Sequence, residues 1–197
     1  MSNAAEEIDA ALFEAAMAHV AAHGWPAISL QAVASAAGVP EAQARRRYGD
    51  KYALVRAFGQ YIDARVPPAD REGSPRERLF EVLMARFDAL MPYRPGLAGL
   101  ARASWGDARL AFALARALPR RMRAMLKRAH IKADGIEGLV KARVLAALWL
   151  GVVRIWLKDE SPDLATTMAA LDRALARIEP MGERLFPHDA RPLVPGA

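Results

Sequence analysis

The chain has 197 residues, 53% hydrophobic and 25% charged, with a formal net charge of +6. It holds no cysteine, which excludes disulfides, thiolate metal sites and cysteine nucleophiles; its dispersed histidines, of which only His19 and His23 share a helical face, read as solvated side chains, so no metal or cofactor is expected. The first residues are acidic (Glu6, Glu7, Asp9) where a secretory leader is basic, and the longest apolar run, Val144 to Val153, is far short of a membrane span, so a cytoplasmic location is expected.

Ala, Leu, Arg and Glu dominate, and apolar residues recur at three- and four-residue spacing without strand-like alternation. The chain therefore reads as all-α. The first helix runs from about Ala5 to His23, with Ile8, Leu12, Ala16 and Val20 inward and Gly24 as its stop. Ser29 caps a second helix over Leu30 to Ala37, a third covers Glu41 to Tyr48, and a fourth runs from Lys51 to about Val66. Pro67-Pro68 and the polar residues to Gly73 mark a domain boundary, separating residues 5–66 from 74–179. Ser74-Pro75-Arg76-Glu77 is a strong helix start, and the helix it opens extends to about Met91. A short helix through Leu100 and Ala103, a long basic helix or broken pair over 107–131, an apolar helix from Ile136 to Leu157 and a last one from Ser161-Pro162-Asp163 to about Ile178 complete the series. Four prolines (180, 187, 192, 195) make 180–197 an irregular tail.

The informative stretch is Ser29 to Lys51. Two short helices are joined by Ala37-Gly38-Val39, where Gly38 allows a left-handed backbone and Val39 plugs the angle between the helices. Val33, Ala34 and Ala37 are small enough for close packing. This is the pattern of a helix-turn-helix, whose second helix enters the DNA major groove.

Residues 12–58 resemble the N-terminal domain of the TetR family. His-Gly-Trp-Pro-Ala-Ile-Ser, then Val-Ala-Ser-Ala-Ala-Gly-Val, then Tyr48 before Gly-Asp-Lys-Tyr-Ala-Leu follow that family's order and spacing. The resemblance implies a fold of about nine helices, with a helix-turn-helix domain ahead of a helical bundle for ligand binding and dimerisation. It also implies that the third helix reads bases and that Lys51 binds a phosphate. The DNA-facing set is then Ser29, Gln31, Gln43, Arg45, Arg46, Arg47, Tyr48 and Lys51. Within it, Gln43 and Arg46 or Arg47 fall near base edges, and Arg45 and Lys51 near phosphates.

The reading surface departs from the family's pattern. Pro40 stands where a capping Ser is usual, Ala42-Gln43 where Gly-Thr is usual, and Arg45 where a phosphate-contacting Tyr is usual. At ~100° per residue, Arg45, Arg46 and Arg47 cannot all face DNA. Nor does bulk charge mark the reading domain: residues 1–66 hold six basic against seven acidic side chains, while 109–132 hold eight basic and none acidic.

A second resemblance lies in Ile155 to Arg173 (Ile-Trp-Leu-Lys-Asp-Glu-Ser-Pro-Asp-Leu-Ala-Thr-Thr-Met-Ala-Ala-Leu-Asp-Arg), which is similar to a segment of the TetR-fold lipid-binding proteins of coenzyme Q biosynthesis. Pro40 to Arg46 echoes those proteins too. This resemblance implies an alternative role in binding isoprenoid lipid without DNA. The intact turn residues and Lys51 favour the DNA reading.

The TetR resemblance implies an effector pocket for a hydrophobic or amphipathic small ligand, for which Met84, Phe87, Met91, Trp105, Phe112, Met122, Trp149 and Val153 supply adaptable apolar side chains. It implies a homodimer through the last two long helices, with Leu148, Val152, Ile155, Met168, Leu171 and Leu175 at the interface. The expected function is a transcription regulator, a repressor released from double-stranded operator DNA by its ligand. The basic amphipathic run 116–132, with Leu118, Met122, Met125 and Leu126 among its charges, offers a membrane contact as the alternative to a solvated face. No Gly-rich phosphate loop, serine elbow or carboxylate pair suggests an enzyme.

Overall fold

A computed structural model describes residues 2–185, and no strand occurs among them. The helices are α1 (Ser2–His23), α2 (Leu30–Ala36), α3 (Glu41–Tyr48), α4 (Lys51–Arg65), α5 (Pro75–Leu90), α6 (Arg94–Ala103), α7 (Ala108–Arg128), α8 (Gly135–Trp156) and α9 (Ala165–Leu185), with short 3-10 turns at Trp25–Ala27 and Met91–Tyr93. The expected boundaries hold to within a few residues, the usual fraying at helix ends.

Of the two alternatives for the basic stretch, the structure has the single long helix: Pro119 lies inside α7, and the loss of one backbone donor does not interrupt it. One expectation changes: the last helix runs past the position of Pro180 to Leu185, so residues 180–185 are helical rather than irregular. The rest of the expected tail, 186–197, lies outside the described residues.

The described chain forms two compact units. The first contains, of the described residues, 2–67 and 85–121. Its core gathers Leu12, Phe13, Ala16 and Val20 of α1, Val33 and Ala34 of α2, Ala44 of α3, Leu54, Phe58 and Ile62 of α4, and Leu100 and Leu110. Helix α1 lies against α6 at backbone distance, because a Cβ on Gly96 would stand 2.5 Å from the Met17 carbonyl oxygen. Only glycine permits that approach.

The second unit contains, of the described residues, 68–84 and 122–185. Its α5 start is the expected capping box: the Ser74 N–H donates to Glu77 Oε2 (2.7 Å) and the Glu77 N–H donates to Ser74 Oγ (3.2 Å). The core joins Leu79, Val82 and Leu83 to Met122, Met125, Leu126, Leu145, Trp149, Trp156, Leu171 and Leu175. Helices α8 and α9 pack on each other. Asp159 organises the turn between them, accepting from the Ser161 N–H (3.1 Å), the Thr167 N–H (2.7 Å), the Thr167 hydroxyl (2.6 Å) and the Ser161 hydroxyl. No helix among the described residues is long and apolar enough to cross a membrane.

Candidate nucleic-acid interface

The helix-turn-helix is built from local chemistry. Ser29 Oγ accepts from the Ala32 N–H at 3.0 Å and starts α2. Gly38 has φ +66°, the left-handed conformation the turn needs, and the Val39 N–H closes on the Ala34 carbonyl at 2.9 Å. Pro40 precedes α3 and supplies no side-chain cap. Asp50 caps α4, accepting from the Ala53 N–H at 2.7 Å.

Ala44 is fully buried and fixes the inward side of α3. At ~100° per residue, Ala42 and Arg46 lie on the opposite side, with Gln43 and Arg45 flanking them. Ala42, Arg45 and Arg46 are exposed and Gln43 is half-buried. Arg47 and Tyr48 turn back toward α1, where Asp9 accepts from the Arg47 guanidinium with both oxygens and also from the Tyr48 phenol. The hydrogen bond to Asp9 raises the Arg47 pKa above the ordinary guanidinium value. Burial, then the same carboxylate, pushes the Tyr48 phenol up. Arg45 pairs with Glu41 one turn earlier, which offsets the acidic residue at the start of the helix. Arg46 has no ion pair or hydrogen bond among the described residues.

Lys51 sits in a cage. Its ammonium donates to the Trp25 carbonyl at 3.2 Å and the Ile28 carbonyl at 3.1 Å, and stands 4.4 Å from the Trp25 ring centroid. Burial pulls its pKa below the usual lysine value. Two of its three N–H directions therefore close the α1–α2 turn. Gln31 is exposed in the first turn of α2, while the Ser29 oxygen is engaged as a cap.

Asp9 and Asp107 are absent from the expected set, yet they hold the site together. Asp107 caps α7 by accepting from the Leu110 N–H (2.9 Å), and also accepts from Trp25 Nε1 (2.7 Å) and the Tyr52 hydroxyl (3.0 Å). Those hydrogen bonds, led by the Leu110 N–H, hold its carboxyl below the usual carboxylate range. Beside it, Arg109 pairs with Asp50 and lies 4.1 Å over the Tyr52 ring. The cap of α7 was legible as an Asp at a helix start. The Asp9 pairing lacks any local signal, because its partners lie 38 and 39 positions away.

The residues expected to line a pocket divide. Phe87, Met122 and Trp149 are buried, and Met84, Met91 and Val153 are half-buried. Trp105 and Phe112 instead are 85% and 65% exposed, so they stand outside any core. The expected dimer residues divide too. Val152, Leu171 and Leu175 are buried within the protomer, Leu148 and Met168 are half-buried, and Ile155 is exposed. Val152 faces the core, and the large apolar side chains that α8 exposes are Ile136, Leu139, Val140, Leu150 and Ile155.

No protein-family model and no curated protein matches the chain. Solved structures do. A TetR transcriptional regulator from Nitrosomonas europaea superposes with a TM-score of 0.69 at 19% identity, covering 86% of this chain and 96% of that one. The structure of SmeT in complex with triclosan gives 0.56 at 21% identity, covering 86% and 90%. The TetR-family repressor AlkX from a Dietzia species, implicated in biodegradation of n-alkanes, gives 0.54 at 18% identity, covering 92% and 99%. The all-helical fold of this chain is the fold of the TetR family of transcription regulators.

Proposed function

We propose that the chain is a DNA-binding transcription regulator of the TetR type, in which α3 enters the major groove and Ala42, Gln43 and Arg46 face the base edges. The observation that carries this reading is Arg46, a cation without a partner among the described residues, on the outward side of a helix whose inward side is fixed by Ala44, Arg47 and Tyr48. Arginine in the major groove reads guanine through two parallel hydrogen bonds. Arg45 and the first turn of α2, with Ser29 and Gln31, take phosphates. Lys51 supports the turn and has one N–H direction left for a phosphate. Residues 5–66 act as the reading domain, and 74–179 as the effector and dimer domain. Two protomers associate through α8 and α9, with Ile136, Val140, Leu150 and Ile155 as the apolar contacts, so two reading helices meet a near-palindromic operator.

The effector is a hydrophobic or amphipathic small molecule, and its binding releases a repressor from DNA. Support comes from the Met and aromatic side chains of the larger domain and from the triclosan complex of a protein sharing the fold. The segment similar to the coenzyme Q proteins has a structural account that calls for no lipid: its Asp159, Ser161 and Thr167 close the α8–α9 turn.

Fluorescence anisotropy with duplex DNA flanking the chain's own gene tests this reading. Specific, salt-sensitive binding that weakens on adding a hydrophobic ligand is expected. Equal affinity for that duplex and for unrelated duplexes would contradict it.

A further inference from the structure

We propose that the outer face of α7, from Trp105 to Arg120, docks on an anionic membrane surface. This goes beyond DNA binding and does not depend on it. Trp105 stands in the turn that opens α7 and is 85% exposed; Phe112, seven residues on, is 65% exposed. Arg116 and Arg120 continue the face of Phe112 at four-residue spacing, both exposed. Among the described residues neither has an ion pair or hydrogen bond. On the opposite side of the same helix Leu110 is fully buried, and Ala113, beside Phe112, is buried too. No acidic residue occurs between 109 and 132.

This places the contact nearer the start of the helix than its composition suggests. Met122, Met125 and Leu126 are fully buried, so they present no apolar face to lipid. The cations of that stretch have partners as well: Arg121 bonds Asp63, and Arg123 and Lys127 pair with Asp134. What remains outside is Phe112 with two guanidiniums along one side of α7, and Trp105 exposed in the turn just before it.

Those two demands select the occupant. Rings at this exposure need an apolar phase, and the guanidiniums need anionic groups at the same depth. The headgroup boundary of an anionic bilayer offers both. Duplex DNA offers phosphates without apolar volume. A second copy docked on the same patch would bring positive faces together.

Flotation of the full chain with vesicles of phosphatidylcholine alone, or mixed with phosphatidylglycerol, tests this. Binding to the anionic vesicles only is expected. Arg116→Ala and Arg120→Ala should each lower partitioning about fivefold, with circular dichroism and thermal midpoint unchanged. Trp25, Trp149 and Trp156 are buried, so a vesicle-induced emission shift reports Trp105 and should vanish in Trp105→Phe. Absence of binding to anionic vesicles overturns the proposal. So does binding that ignores all three variants, capture of oligothymidine through Trp105 in place of vesicles, or a Phe112→Ser change in oligomeric state without vesicle binding.

Discussion

Asp9 and Arg47, 38 positions apart in sequence, form a two-pronged ion pair that fixes the rotation of α3 against α1. Tyr48 shares the same carboxylate. A short helix of eight residues has little stability of its own, so this anchor decides which arginine faces outward.

Asp9→Asn keeps the shape and removes the charge. Arg47 and Asp9 are partly solvated, so the loss is expected to be about 1 kcal/mol, read as a lowered urea midpoint at constant slope. Operator affinity should fall with it, because α3 is then free to rotate. An unchanged midpoint would show that the pair contributes no stability.

Arg46 and Lys51 separate reading from scaffolding. Arg46→Ala should leave stability within about 0.5 kcal/mol of the parent and abolish preference at one base position. Lys51→Met should do the reverse in kind: it removes a charged donor from the Trp25 and Ile28 carbonyls and destabilises by about 1 kcal/mol. Thermal melts and competition binding on the same preparations distinguish the two.

Asp63 is buried between two arginines, accepting from Arg86 Nε at 3.0 Å and Arg121 Nη1 at 2.9 Å. Asp63→Ala removes the carboxylate shared by the buried Arg86 and the half-buried Arg121 and should cost about 3 kcal/mol. Gly59→Ala tests the same cluster from α4, because its Cβ would stand 2.3 Å from the Arg121 guanidinium carbon. Arg121 must then withdraw from Asp63. If the two substitutions are independent, their effects on the denaturation midpoint will add; coupling through Arg121 predicts that they do not.

Asp159 predicts an acid limb. Its hydrogen bonds, those of Ser161 first and Thr167 next, hold its folded pKa below the ordinary carboxylate value. A depressed folded pKa gives stability that is fully present above the unfolded value of about 4 and lost as pH falls through the folded pKa. Asp159→Asn should be less stable than the parent at neutral pH and lose less stability on acidification below about pH 4. Identical acid profiles would show that another carboxylate governs this limb.

Helix positions were legible because capping and periodicity are local. Ser29 and Ser74-Glu77 bond where a reading of the sequence puts them. The turn at Gly38 was legible for the same reason. The allotment of three consecutive arginines was not, since it depends on a carboxylate in α1 that only folding brings near. The burial of Val152 and Leu171, and the exposure of Trp105 and Phe112, likewise follow from helix rotation about the core, which composition leaves open.

If the outward face of α3 reads bases, its side chains set the preferred DNA sequence. Selection of bound duplexes from a random pool by the parent and by Arg46→Ala measures this most directly. An enriched near-palindrome is expected for the parent, with loss of a guanine preference at one position of each half-site in the variant. Recovery of no consensus by the parent, or of the same consensus by both proteins, would contradict it.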